Sequence, residues 1–282
     1  MENIPTPPSG RRSDLREYGM MVEPSDTFPI AVFDRATESL LPYSVSFAVD
    51  KRPSGSGTLV TIGQKYGVLT AAHVVTDILQ PEAREVTIIF MNQSHRFRVG
   101  KDFLVPRSIG PVDEGPDLAF VEILDATKLG TLKGKKSFIP LSPHYSGAYD
   151  FLEPKISTVC CLFGTPAEFD IVEENNAAAP WFITRTFFAA RAQVVSSFSR
   201  GEFDYMKMGV IAGSDGFPRR YAGMSGGGVW HIPLFKSETG EYSYQHPELI
   251  GVAFWESDFT ERGCTITCHG PQSLKKVGVD WI

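Results

Sequence analysis

Three short stretches carry side chains suited to proton transfer and nucleophilic attack. In Gly67-Val68-Leu69-Thr70-Ala71-Ala72-His73-Val74-Val75 a histidine follows the end of an apolar strand, and the two alanines let the backbone turn sharply and pack closely. An imidazole with an ordinary pKa near 6.5 can take and return a proton at neutral pH. In Gly115-Pro116-Asp117-Leu118-Ala119-Phe120-Val121 a carboxylate opens an otherwise apolar strand. Such a carboxylate is at least partly buried and needs a partner. Histidine Nδ1–H is one suitable partner, and the amides of a local turn are another. The third stretch, YAGMSGGGVW from Tyr221 to Trp230, wedges Ser225 among four glycines. A serine attacks only when a base takes its proton and something stabilises the oxyanion. Gly223, Met224 and Ser225 can curl so that the N–H groups of Gly223 and Ser225 meet at one spot. Gly226 and Gly227 would let neighbouring backbone close in behind the serine.

Each stretch alone has a plainer reading: a loop histidine, a turn aspartate, a glycine-rich turn. Their order is more informative. His73, Asp117 and Ser225 follow one of the few chain orders in which such a trio is found, and the order excludes the α/β-hydrolase arrangement, where the serine comes first.

The elements that must position these groups are short strands. Ser44–Val49, Thr58–Ile62, Tyr66–Thr70, Glu85–Phe90, His95–Val99 and Asp117–Ile123 are apolar runs bounded by turn signals. The turns are read at KRPSGSG (51–57), at Gly63-Gln64-Lys65 and at Met91–Ser94. After a loop at 125–150 the pattern resumes in ISTVCCLFG, WFITRTFFAARAQVVSSF, FDYMKMGVI, GGGVWHI and ELIGVAFW. No helix with a 3.6-residue stripe longer than about three turns is expected, and the best helical candidates are a short piece after Thr70 and a turn near Ser273–Val277. Strands recurring about every ten residues indicate an all-β barrel or sandwich.

A chain of 282 residues with 42% hydrophobic content can bury two small cores or one large one. A net charge of −6 gives no encouragement to nucleic-acid binding. No apolar run reaches the roughly 18 residues of a membrane span. Residues 1–25 read as a flexible arm, and because no apolar signal segment follows its charges, a cytoplasmic location is expected. Cys160, Cys161, Cys264 and Cys268 read as buried thiols. Cys264, Cys268 and His269 form only a weak zinc signature without a spaced partner motif, so no metal or other cofactor is expected.

TAAH at 70–73, DLAFVEI at 117–123 and GMSGGGV at 223–229 resemble the three signature blocks of the trypsin-like (chymotrypsin-fold) serine peptidases. GSGTLV at 55–60 resembles the strand that precedes the histidine block, and the likeness spans roughly residues 40–265. It implies an all-β fold of two packed six-stranded antiparallel barrels with few short helices. The peptidase domain would be 26–282, with barrel 1 at about 26–130 and barrel 2 at about 145–282. It also implies a serine endopeptidase in which Ser225 attacks, His73 is base then acid, Asp117 orients His73, and the amides of Gly223 and Ser225 form the oxyanion hole. Met224 stands where the zymogen-activated digestive members carry an aspartate, so the resemblance is to bacterial or viral-type members, or HtrA-like ones without a PDZ domain. The family's pattern puts the S1 pocket at Arg219 and at Phe254, Trp255 and Glu256, and Arg219 there would favour an acidic P1 side chain. The expected partner is a protein or peptide substrate, with an activating or restraining protein as a second. The alternative is a catalytically silent or latent protease-fold module that binds a peptide or protein; an esterase is a third reading.

Overall fold

The computed structural model describes residues 29–49, 52–80, 85–91, 95–108, 116–142, 157–173, 182–213, 216–237, 239, 241–260 and 263–281. The arm expected at 1–25 and residues 92–94 of the turn expected at Met91–Ser94 lie outside them, and Met91 itself ends a strand. Two curled sheets dominate. The first contains β1 (Ser44–Val49), β2 (Arg52–Ile62), β3 (Lys65–Thr70), β4 (Glu85–Met91), β5 (His95–Gly100), β6 (Leu104–Ser108), β7 (Ala119–Ile123) and β8 (Ile139–Leu141). Its strand order is β5-β4-β1-β2-β3-β7-β6, with β8 added parallel to β2. The outermost strands, β5 and β6, are consecutive in the chain through the turn Lys101–Phe103, which brings the two ends of the sheet together.

The second sheet begins with β9 (Ser157–Gly164). After a small ribbon of β10 (Ile171–Glu173) and β11 (Phe182–Thr184), it continues with β12 (Phe188–Arg200), β13 (Phe203–Ile211), β14 (Gly228–Lys236), β15 (Tyr242–Tyr244), β16 (Glu248–Ser257) and β17 (Gly263–His269). Pairing of β14 with β9 closes the ring β14-β16-β17-β13-β12-β9, and β15 flanks β14. The fold is thus all-β with two barrel-like sheets. The closed ring of the second has the six strands expected, whereas the first has eight.

Period-two alternation explains why the strands read as unbroken apolar runs. Leu59, Val68 and Val121 fill the interior of the first barrel, while their neighbours Val60, Leu69 and Phe120 face the second. Likewise Leu162 and Val229 fill the second barrel, while Cys161, Phe163 and Trp230 face the first. Both faces are covered, so the shared core lies between the barrels. Helix α1 (Ile30–Glu38) and the C-terminal helix α4 (Pro271–Asp280) seal it with Val32, Phe33, Leu274 and Val277. Among the described residues the other α-helices are α2 (Ala72–Ile78) and α3 (Ala126–Lys133). The expected loop at 125–150 therefore contains α3 and β8. The expected turn at 51–57 is strand from Arg52 onward, and the terminal turn is the full helix α4. Among the described residues no helix is long and apolar enough to cross a membrane.

Candidate active site

Strand register brings the histidine to the aspartate. Thr70, the last residue of β3, pairs antiparallel with Ala119, the first residue of β7. The chain leaving β3 therefore runs beside the chain entering β7, and His73, second in α2, meets Asp117. The carboxylate holds it twice: Oδ1 accepts the His73 backbone N–H at 2.9 Å and Oδ2 lies 2.6 Å from Nδ1. The aspartate side chain is 14% exposed and the histidine 35%. Burial lowers the His73 pKa, but the hydrogen bond and charge of Asp117, with the charge of Asp77, outweigh it and leave the group above its ordinary value.

Ser225 lies in the loop between β13 and β14, whose carbonyls are tied back one after another. Met224 N–H donates to Tyr221 O at 3.0 Å, Ala167 N–H to Ala222 O at 2.7 Å and Gly227 N–H to Met224 O at 2.8 Å. Ser56 serves two more: its Oγ donates to Gly223 O at 2.8 Å, and its N–H donates to Ser225 O at 2.8 Å. Among the described residues the N–H groups of Gly223 and Ser225 have no acceptor. A trans peptide points its N–H opposite to its carbonyl. Tying back Ala222 O and Met224 O therefore turns these two donors away from Ala167 and Gly227. Gly223 has φ +90°, and a Cβ there would sit 2.8 Å from Thr165 O and 2.9 Å from Arg185 Nη2, so only glycine fits.

His73, Asp117 and Ser225 line one cavity of about 580 Å³. The hydrogen bond that Ser225 Oγ makes runs to Phe254 O at 3.4 Å. Phe254, Trp255 and Glu256 also line the cavity, and Trp255 is 64% exposed. Arg219 is a correction. Its side chain is 85% exposed and faces Glu168 at 4.0 Å, outside the cavity lining. The turn places Arg220, one residue later, at the wall instead. Arg220 Nε lies 3.3 Å from Glu256 Oε2, and its guanidinium lies over the Phe259 ring at 4.2 Å. Glu256 Oε1 accepts the Tyr221 N–H at 2.9 Å. The charge of Arg220, whose side chain is 63% exposed, is thus matched at the cavity wall, and much of the remaining lining, including Leu162, Met224 and Ile266, is apolar.

His269 belongs to this region and was not legible as such. It is fully buried, with ring centroids 4.8 Å from Phe254 and 4.9 Å from Tyr205. Burial pushes its pKa down to about 4 against the opposing charge of Asp117. Cys268 next to it packs into the opposite side of the strand, inside the second barrel with Cys264. That alternation separates the thiols from the imidazole in the C-x3-C-H stretch. All four cysteines are free thiols, and burial pushes Cys160 and Cys264 up to about 12.

No protein-family model matches the chain, and no curated protein matches it. Solved structures do. Human heparin binding protein is 14% identical with a TM-score of 0.48, covering 86% of this chain and 92% of that one. Neuropsin, a serine protease expressed in the limbic system of mouse brain, is 15% identical with a TM-score of 0.44, covering 86% and 93%. The serine protease domain of the Sesbania mosaic virus polyprotein is 13% identical with a TM-score of 0.43, covering 86% and 92%.

Proposed function

We propose that the protein is a trypsin-like serine endopeptidase acting through His73, Asp117 and Ser225. The observation that carries this reading is the double attachment of His73 to Asp117 in the same cavity as Ser225. A carboxylate on Nδ1 leaves Nε2 unprotonated and able to accept the serine proton. Ser225 Oγ leaves the Phe254 carbonyl and attacks the scissile carbonyl while His73 takes its proton. Asp117 stabilises the imidazolium that results, and the free N–H groups of Gly223 and Ser225 receive the oxyanion. Collapse expels the amine, which takes the proton from His73, and water then hydrolyses the acyl-enzyme by the same steps. Because Glu256 balances Arg220, the substrate side chain entering the cavity is apolar and uncharged rather than acidic.

A latent module that binds a peptide or protein is the second reading, favoured by the hydrogen bond of Ser225 Oγ to Phe254 rather than to His73. A fluorophosphonate probe separates the two. The peptidase reading expects labelling of the wild type and none of Ser225→Ala; absence of labelling, alone and with cell lysate added, removes it.

A further inference from the structure

We infer that Arg185 is a positioning residue that presets the oxyanion loop, an inference that rests on the reading of Ser225 as the nucleophile. Arg185 occupies the break between β11 and β12. Its side chain is 0% exposed and that of its partner Asp170 is 3% exposed. Every arm of the guanidinium is engaged. Nε donates to Asp170 Oδ1 at 3.0 Å and Oδ2 at 3.2 Å. Nη1 donates to Phe47 O at 3.0 Å and Gly55 O at 2.8 Å, and Nη2 donates to Thr165 O at 2.9 Å. Phe47 and Gly55 are partners on β1 and β2, and the ladder slips immediately after Phe47. One cation therefore joins an irregular edge of the first barrel to the 165–170 turn of the second.

That turn holds the loop before Ser225. Thr165 N–H donates to Ser56 Oγ at 2.9 Å, and the Thr165 and Ser56 hydroxyls lie 3.1 Å apart. A hydroxyl has one proton and two lone pairs. Ser56 Oγ gives its proton to Gly223 O, so it must accept both bonds from Thr165. Ala167, on the same turn, holds Ala222 O, and Asp170 N–H closes the turn on Ala167 O at 3.2 Å. The guanidinium thus fixes Thr165 and Asp170, which fix Ser56 and Ala167. These in turn fix two successive carbonyls and the peptide plane carrying the Gly223 N–H. A buried ion pair is weak ground for stability by itself, since apolar groups of the same volume are often as stable. Apolar groups cannot hold five directed bonds in one plane, and that is what the loop requires.

The test compares wild type, Arg185→Met and Ser56→Ala for the rate of fluorophosphonate labelling and for its pH midpoint, with thermal unfolding as the check on folding. Loss of one oxyanion donor typically lowers turnover by about 10² to 10³. A loosened loop is expected to slow labelling at least about tenfold, with the pH midpoint unchanged because His73 and Asp117 are untouched. Labelling of a folded variant at the wild-type rate overturns the inference, and so does a moved midpoint. If Arg185→Met does not fold, Ser56→Ala decides by the same criteria. If the wild type itself is not labelled, the reading of Ser225 fails and this inference falls with it; labelling of wild type but equal labelling of the variants fails the inference alone.

Discussion

Replacing Asp117 by asparagine alters one atom of the carboxylate, yet it should remove nearly all reactivity of Ser225. Asparagine has a single carbonyl oxygen to offer where Asp117 presents one oxygen to the His73 N–H at 2.9 Å and another to Nδ1 at 2.6 Å. If the amide oxygen stays on the backbone N–H, the amide NH2 faces Nδ1 and moves the imidazole proton to Nε2, the atom that must act as base. If the amide flips, two donors meet at the His73 N–H. The charge is lost in both cases. At an effective dielectric of about 20, unit charges 2.6 Å apart attract by about 6 kcal/mol before solvent screens the 35% exposed histidine. A loss of about 10⁴ in rate corresponds to about 5.4 kcal/mol, the same order of magnitude. The assay is the fluorophosphonate labelling rate from acid to alkaline pH. Asp117 raises the His73 pKa, so wild-type labelling should rise through a midpoint above the ordinary value, and the residual midpoint of the variant should fall below it. Labelling of the variant within about tenfold of wild type, or an unmoved midpoint, would refute the assignment.

Two further outcomes follow from the cavity wall and from the buried histidine packed against Phe254. In Glu256→Gln the amide oxygen can still take the Tyr221 N–H, but the charge opposite Arg220 is gone; cleavage-site profiling should shift toward acidic P1 residues, and an unchanged profile would remove Glu256 from specificity. His269, held at about 4 in the fold against about 6.5 unfolded, makes the unfolded chain bind the proton first, so its contribution is intact above 6.5 and lost as pH falls toward 4. The full effect is about 3 kcal/mol, opposite in sign to that of His73. Urea unfolding at pH 7 and pH 4.5 measures it, and His269→Phe should flatten the slope; an equal slope in the variant would exclude the residue.

The parts of the site legible in sequence were those set by local chemistry. An aspartate at the mouth of one apolar strand and a histidine past the end of another meet because adjacent antiparallel strands need only the right register. What failed depended on distant neighbours. Gly55 and Gly57 look like turn residues but lie in β2, where added Cβ atoms would strike Val74 and Val68 side chains. Helix α3 buries only Leu132 and so shows no apolar stripe; its one clear signal is the Asp125 side chain capping Lys128 N–H. Pro106 and Pro140 disguised the short strands β6 and β8, which lie at an end of the strand order and off it. The family's pattern pointed to Arg219, because spacing alone does not say which of two adjacent arginines meets the cavity wall. Nothing around Arg185 signals its burial, since its acceptors stand 15 to 138 positions away.

Closure of the second barrel has a consequence for the order in which the chain assembles. The β9–β14 ladder joins Ser157 to Leu234, 77 positions apart (234 − 157), and the Ser225 carbonyl is held by Ser56, 169 positions upstream (225 − 56). Contacts of such sequence separation form late, because long loops must close before they are rewarded. The free N–H pair beside Ser225 therefore comes into register only once the second barrel is shut and docked on the first. A nascent or half-folded copy carries His73, Asp117 and Ser225 without their alignment, so under the proposed function it is least able to attack peptide bonds while its own segments are most exposed.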